Sequence, residues 1–224
     1  MLRVILWKLG IEWAHLRRAW WPRPERKVYY FAFGANLCRA VLEQRRIRVF
    51  ESFDYVLRDA ALRFSQPGFY RGHGYASADA AVGSAVYGRM YLILETDARR
   101  MDYFEGVPFL DAHDKLFREV DGLHFFYYRS TRIVEGLKPT REYLDYIVDA
   151  YRQMSAVPEE QLRELASTEV LQQLQPVDET GLFVRDAGRW PQFLQRPLVY
   201  YERFCLKAVE MAWHRSPLQG FIKP

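Results

Sequence analysis

A short aromatic segment that ends in a glycine constrains the fold of this chain more than any other part of its sequence. Residues 28–33 read Val-Tyr-Tyr-Phe-Ala-Phe, and aromatic and β-branched residues favour a packed strand. Gly34 interrupts the segment, and a helical pattern starts at Leu37. The sequence therefore predicts a strand, a tight turn and a helix with Asn36 as its N-cap. Such a turn directs backbone N–H groups at one point, where they can bind a carboxylate, a phosphate or an oxyanion, although ordinary strand-to-helix turns share the pattern.

A second segment, residues 96–107, predicts a short helix that ends at a glutamate. Thr96 is the expected N-cap, and Gly106 is the glycine expected just after the helix. Glu105 then occupies the last turn, where the helix dipole disfavours a negative charge and is expected to raise the pKa of the carboxyl group. A carboxylate at this position does not stabilise the helix, but it suits a general base.

Together, the two segments resemble the gamma-glutamylcyclotransferase family. In that family a strand ends in a Tyr-Gly-Ser-Asn-Leu loop that holds the substrate, and a later Glu-Gly-Val carries the catalytic glutamate. Here the loop is Phe-Gly-Ala-Asn-Leu at residues 33–37, and the glutamate is Glu105. The family also places a Val-x-Gly strand before the catalytic helix, and residues 86–88 match it. The resemblance covers about residues 28–157.

The resemblance implies an intramolecular reaction that needs no metal, cofactor or covalent nucleophile. The α-amino group of a γ-glutamyl amino acid or γ-glutamyl amine attacks its own side-chain carbonyl, which yields 5-oxoproline and releases the amine. Glu105 is expected to take the proton from the attacking nitrogen and pass it to the leaving nitrogen. The residues expected to bind the substrate are Phe33, Gly34, Ala35, Asn36, Leu37, Tyr128 and Tyr143.

Two substitutions separate this loop from the family pattern. Phe33 stands where tyrosine is usual, and Ala35 stands where serine is usual. Each lost hydroxyl costs about 1 kcal/mol of binding if it contacts the substrate, and neither loss matters if the loop binds through backbone N–H groups. A different γ-glutamyl amine substrate would fit these changes. The alternative function is a non-catalytic module that binds a γ-glutamyl or carboxylate ligand and docks to a membrane or a protein partner.

The remaining pattern predicts an α+β fold, namely a small mixed β-barrel of about six strands with flanking helices. Further strands are expected at 47–50 and 55–65, and hairpins at 75–94 and 115–128. A helix is expected from about Thr140 to Met154.

The chain is expected to carry a helical addition at each end of this domain. In order, we expect an amphipathic helix and basic linker over residues 1–27, the domain over 28–157, and a helical extension over 158–224. Within the extension, the pattern predicts helices at about 159–174 and 197–213.

Composition limits the cofactors and partners. The two cysteines, Cys38 and Cys205, lie far apart, and the five histidines show no metal-ligand spacing, so we expect neither a disulfide nor a metal. The net charge of +4 is mild and suits an anionic ligand or surface. No nucleic-acid-binding motif accompanies that charge, so no nucleic-acid partner is expected. We expect the protein in the reducing cytoplasm.

Residues 1–21 predict an amphipathic helix that Pro22 terminates. Charged residues interrupt the segment too often for a membrane span, and no signal-peptide cleavage pattern follows it. We expect its apolar stripe to pack on its own domain or on a second copy in a homodimer, with peripheral membrane contact as the alternative. The stripe consists of Leu2, Ile5, Leu6, Leu9, Trp13, Leu16 and Trp20.

Overall fold

A computed structural model describes residues 2–68, 71–108 and 112–173 of the 224-residue chain. This part forms one sheet with helices around it. In chain order the elements are α1 (Leu2–Trp20), β1 (Lys27–Ala32), a 3₁₀ turn (Ala35–Leu37), α2 (Arg39–Gln44), β2 (Val49–Pro67), β3 (Gly74–Leu94), α3 (Glu95–Phe104), β4 (His113–Val120), β5 (Leu123–Ser130), α4 (Arg141–Arg152) and α5 (Glu159–Ala166).

The strands form one mixed sheet in the order β2-β3-β1-β5-β4. The predicted strand over 28–33 is its centre, because β1 pairs antiparallel with β3 and parallel with β5. This arrangement confirms the α+β class. Barrel describes it only loosely, because the sheet has five strands in the described residues and does not close.

The predicted hairpin over residues 75–94 is wrong. This segment is one long strand, β3, which pairs with β2 along most of its length. Gly83 has a positive φ of 78° and lies in a bulge between two stretches of regular pairing, where its N–H donates to the Asp59 carboxylate at 3.0 Å. The glycine that sequence reasoning placed in a turn therefore accommodates a bulge within a continuous strand.

The predicted hairpin over residues 115–128 is confirmed, because β4 and β5 pair in continuous antiparallel register. Asp121 and Gly122 connect them with φ values of 51° and 78°. Two consecutive left-handed residues are what a two-residue hairpin turn requires, and Asp-Gly supplies them at low cost.

Helix ends differ from the predictions where a polar side chain has another role. Asn36 and Thr96, the predicted N-cap residues, do not hold those positions. Cys38 and Leu94 stand at the N-cap positions of α2 and α3. Thr140 does cap α4, with its hydroxyl accepting the Tyr143 N–H at 3.3 Å. The predicted helix at 159–174 is shorter, since α5 ends at Ala166. The predicted helix at 197–213 lies outside the described residues, as does Cys205.

Aromatic residues of the central strands form much of the core. Tyr30 and Phe31 of β1 are buried, as are Phe125 and Phe126 of β5. The rings of Tyr30 and Phe126 stack with their centroids 5.2 Å apart. Because Gly34 follows directly after this packed strand, the core holds the turn in a defined position.

Helix α1 presents the opposite face to the domain from the one predicted. Glu12 and His15 are buried, whereas Trp13 and Trp20 are 62% and 61% exposed. The helix packs on α3, whose buried charges provide the partners for its polar residues. The expectation that the apolar stripe packs on its own domain is therefore wrong for the described part of the chain.

Candidate active site

A cavity of about 400 Å³ opens where the end of β1 meets the end of α3. The turn after β1 forms one wall, and residues from β2, β3, β4, β5 and α4 complete the lining. This size suits a small-molecule ligand. The two segments singled out in the sequence thus meet at one mouth.

Glu105 contributes a buried carboxylate to the lining of this cavity. It is the C-cap residue of α3, and its side chain is 12% exposed. Its Oε1 accepts hydrogen bonds from Arg45 Nη1 at 2.8 Å and from Asn36 Nδ2 at 3.1 Å. His113 Nδ1 lies 3.5 Å from the other oxygen, Oε2, and donates to the Glu105 backbone carbonyl at 2.8 Å.

The pKa of Glu105 is lowered, which corrects the expectation of a raised value. Burial raises this pKa, but the positive charges of His113 and Arg45 and the hydrogen bonds from Asn36 and Arg45 together outweigh burial. The helix dipole alone suggested the opposite direction, because it takes no account of cations from other elements. The side chain is consequently a carboxylate at neutral pH.

Asn36 connects the turn to the catalytic candidate through its side chain. Its Nδ2 donates to the Tyr30 hydroxyl at 2.6 Å as well as to Glu105. Its Oδ1 accepts from Arg45 Nη1 at 2.9 Å. The amide therefore bridges a tyrosine, a carboxylate and a guanidinium, which explains why it does not cap a helix.

Tyr143 holds the other side of the turn. Its hydroxyl accepts the Ala76 N–H at 3.2 Å and a hydrogen bond from the Ala35 backbone. A Cβ on Gly34 would lie 3.1 Å from the Tyr143 hydroxyl, so the close approach favours glycine. Burial, with the Glu105 charge adding to it, raises the pKa of Tyr143 despite these backbone hydrogen bonds. The hydroxyl stays protonated and can donate toward the cavity.

Tyr128, like Tyr30 and Tyr143, is a buried tyrosine close to the Glu105 carboxylate. Its hydroxyl donates to Asp102 at 2.6 Å, and Lys115 pairs with the same carboxylate at 2.9 Å. Burial and the negative charge of Asp102 raise the pKa of Tyr128 well above its ordinary value. Burial likewise raises the pKa of Tyr30, and the charge of Glu105 adds to it.

Leu37 lies apart from the other predicted site residues. Its side chain is buried in the core, its N–H donates to the Gly34 carbonyl at 2.9 Å, and its own carbonyl accepts the Tyr91 hydroxyl at 3.0 Å. The expected group of N–H donors therefore does not include Leu37. The predicted site residues that do line the cavity are Phe33, Gly34, Ala35, Asn36, Glu105, Tyr128 and Tyr143.

Sequence reasoning missed three residues that shape this site: Tyr30, Arg45 and His113. The hairpin register could have located His113, because Lys115 lies opposite Tyr128 and a strand repeats its side-chain direction every second residue. Nothing in the sequence singles out Arg45. Within the residues that the structure describes, no cluster of histidine, cysteine and carboxylate side chains could hold a metal ion.

Several solved structures resemble this one. The human protein loc79017, described as uncharacterized, is 21% identical over 69% of this chain and 95% of its own, with a TM-score of 0.54. A gamma-glutamyl cyclotransferase is 20% identical over 72% of this chain and 95% of its own, with a TM-score of 0.52. The chain has the gamma-glutamyl cyclotransferase fold.

YkqA from Bacillus subtilis shares the gamma-glutamyl cyclotransferase fold with this chain as well. It is 17% identical over 70% of this chain and 60% of its own, with a TM-score of 0.52. No protein-family model and no curated protein matches the chain. The predicted resemblance is therefore confirmed for the fold. Identities of 17–21% do not extend it to a substrate.

Proposed function

We propose that this protein cyclises a γ-glutamyl amino acid or γ-glutamyl amine to 5-oxoproline, with Glu105 as general acid and base. One observation carries the proposal: the Glu105 carboxylate lies in a cavity that the Gly34–Asn36 turn also lines, and Asn36 Nδ2 donates to Glu105 Oε1 at 3.1 Å. Such a reaction needs a proton acceptor, hydrogen-bond donors and a pocket that holds one flexible molecule. The cavity contains each of these.

The proposed reaction moves one proton and exchanges one carbon–nitrogen bond for another. The α-amino nitrogen bonds to the side-chain carbonyl carbon and closes a five-membered lactam. The original amide bond breaks, and its nitrogen leaves as an amine. Glu105 accepts the proton that the attacking nitrogen loses and returns it to the leaving nitrogen, so no water is consumed.

The contacts of Glu105 suit this transfer. Arg45 and Asn36 both donate to Oε1, so Oε2 is the oxygen that we assign to the substrate. The lowered pKa makes Glu105 a weaker base but, once protonated, a stronger acid toward the leaving amine. The attacking nitrogen becomes more acidic as its bond to carbon forms, which offsets the weaker base.

Neutral donors near the turn suit the charge that develops on the carbonyl oxygen. The Tyr143 hydroxyl keeps its proton because its pKa is raised, and it lies beside Gly34 and Ala35. A donor fixed before the reaction stabilises an oxyanion without reorganising. The hydroxyls absent from Phe33 and Ala35 leave a more apolar wall, and we propose that this selects the leaving group.

The direct test is release of 5-oxoproline from a panel of γ-glutamyl amino acids and γ-glutamyl amines. Glu105→Gln retains an oxygen that can accept from Arg45 and Asn36, but it cannot take a proton. We expect its kcat to fall on the order of a hundred- to ten-thousand-fold, which is the usual contribution of general acid–base catalysis. Chromatography with mass detection of 5-oxoproline and the free amine measures both products.

Glu95→Gln is the matched control, because Glu95 begins the same helix and its side chain is 45% exposed. We expect this variant to retain full activity. If wild type forms no 5-oxoproline but binds a γ-glutamyl compound in calorimetry, the protein is a binding module. If Glu105→Gln turns over as fast as wild type, Glu105 does not transfer the proton.

A further inference from the structure

The outward surface of α1 is an apolar patch that we call the tryptophan face. It consists of Leu6, Leu9, Trp13 and Trp20 of the helix and Trp21 directly after it, whose exposed fractions run from 56% to 65%. Leu6, Leu9 and Trp13 lie on successive turns, and Trp13 and Trp21 line one groove, so the side chains form a patch. Apolar patches of this kind mark interaction sites. The described part of the chain leaves them open to solvent.

A buried ion pair and a buried histidine–carboxylate contact hold the tryptophan face outward. On the opposite side of α1, Glu12 pairs with Arg100 of α3 at 2.8 Å, and His15 lies 3.0 Å from Asp97. Rotating the helix to bury Trp13 would separate these pairs and take two buried charges of α3 away from their side-chain partners on α1. Buried charges without partners are strongly disfavoured, so the orientation is specified by α3.

The exposed charged side chains of residues 6–27 all have one sign. Arg17, Arg23, Arg26 and Lys27 are exposed, whereas the carboxylates of residues 6–27 belong to the buried Glu12 and to Glu25. The Glu25 side chain is 20% exposed and accepts the Thr96 N–H. Glu95 of α3 lines a surface groove with Trp13 and Trp21, but it pairs with Arg99 at 3.4 Å. A surface with tryptophans and an excess of cations complements an anionic, partly apolar surface.

We propose that the tryptophan face docks onto an anionic lipid bilayer, with α1 lying flat in the interface. Indole rings favour that depth because they are apolar with one N–H donor, and arginine or lysine side chains reach the lipid phosphates. None of the helices in residues 2–68, 71–108 and 112–173 is long and apolar enough to cross a membrane. Contact through one face of a helix is the mode that the exposed residues favour.

Charge distinguishes a bilayer from a second copy of the chain as the occupant. A dimer through this face would place the four exposed cations of both copies in one interface, and an excess of like charge there opposes association. A bilayer that contains phosphatidylserine instead supplies phosphates and carboxylates opposite those cations. The lipid surface therefore satisfies both the apolar and the charged part of the patch.

Vesicle flotation of the full chain tests the proposal. We expect binding to phosphatidylcholine vesicles that contain phosphatidylserine, weaker binding to phosphatidylcholine alone, and loss of binding at high salt. Trp13→Ala combined with Trp20→Ala should weaken binding at least ten-fold. Arg17→Gln combined with Arg23→Gln should weaken it about 25-fold, or about five-fold for each cation removed.

Matched controls lie on other elements. Phe117→Ala removes a 74% exposed aromatic from β4, and Arg141→Gln combined with Arg152→Gln removes two exposed cations from α4. Neither control should change flotation. Circular dichroism checks that each variant is folded, and γ-glutamyl turnover is not needed for any step. The proposed function can therefore fail without affecting this result.

Three outcomes would overturn the proposal. If the wild-type protein does not float with the vesicles at low salt, it does not bind the bilayer. If the variant with Trp13→Ala and Trp20→Ala binds vesicles as tightly as wild type, binding takes place through another surface. If sedimentation instead shows a dimer that Trp13→Ala and Trp20→Ala dissociate, and vesicles do not compete with it, the tryptophan face is a subunit interface.

Discussion

The hydroxyl of Tyr143 supports the turn that forms one wall of the cavity, so its removal should weaken both stability and catalysis. In Tyr143→Phe the ring remains in place and only the oxygen is lost. That oxygen accepts the Ala76 N–H at 3.2 Å and a hydrogen bond from the Ala35 backbone. The variant therefore leaves two backbone donors to find other partners.

The expected destabilisation follows from the number and burial of these donors. A buried donor left without an acceptor costs about 1–3 kcal/mol. Ala76 is buried and Ala35 half-buried, so cavity water can reach the second more easily than the first. We expect a total loss of about 1–3 kcal/mol, which lowers the Tm by about 2–12 °C for a chain of this size.

Tyr146→Phe is the matched control on the same helix. Tyr146 is 47% exposed, and its hydroxyl contacts Glu142 at 3.4 Å. Its loss should change stability by less than about 0.5 kcal/mol. Thermal unfolding by circular dichroism and urea titration compare the two variants under identical conditions.

The proposed cyclisation provides a second measurement. If the turn positions the substrate, Tyr143→Phe should raise the KM for the γ-glutamyl substrate and lower kcat/KM, while Tyr146→Phe changes neither. A Tyr143→Phe protein as stable as Tyr146→Phe would show that the hydroxyl does not support the turn. Lower stability with unchanged kcat/KM would show that the turn does not hold the substrate.

Two further variants test the electrostatics and the packing of the site. Arg45→Gln removes a charge that lowers the Glu105 pKa, so that pKa should rise and the acid limb of kcat/KM should move to higher pH. Arg39→Gln, an exposed control near the start of α2, should leave the acid limb in place. Gly34→Ala places a Cβ 3.1 Å from the Tyr143 hydroxyl and should raise KM several-fold, whereas Gly10→Ala meets no atom within 4 Å and should not. An unchanged acid limb or an unchanged KM would contradict the respective role.

The pH dependence of stability follows from the same pKa. Glu105 has a lowered pKa in the folded protein, so its ionisation contributes stability above the ordinary glutamate range. That contribution is lost as the pH falls through the lowered value. The carboxylate is thus compatible with the fold because Arg45 and His113 surround it with positive charge.

Sequence patterns correctly predicted the structural features that depend on residues close together in the chain. The aromatic strand before Gly34 and the Asp-Gly turn at 121–122 depend on near neighbours, and both are found as predicted. The bulge at Gly83 was mistaken for a turn because a positive φ serves either structure. Only the pairing of β3 with β2 distinguishes them, and that pairing is not a local property.

Contacts between distant elements explain what the sequence did not predict at the site. Arg45 reaches Glu105 from a position 60 residues away. Its contact depends on where α2 ends relative to α3, which no spacing along the chain reveals. The direction of the Glu105 pKa shift was wrong for the same reason. Its determinants are cations on other elements, whereas the helix dipole was the only one visible from the sequence.

The orientation of α1 shows a limit of hydropathy patterns. A helical stripe of leucine and tryptophan predicts a buried face, because each residue is scored by its own preference for water. Buried charges, however, are stabilised in pairs, and His15 meets Asp97 across 82 residues of sequence while Glu12 meets Arg100 across 88. The polar face of α1 is therefore the face that α3 requires. An apolar face turned outward follows from that requirement, and it is the physical reason to look for a lipid partner.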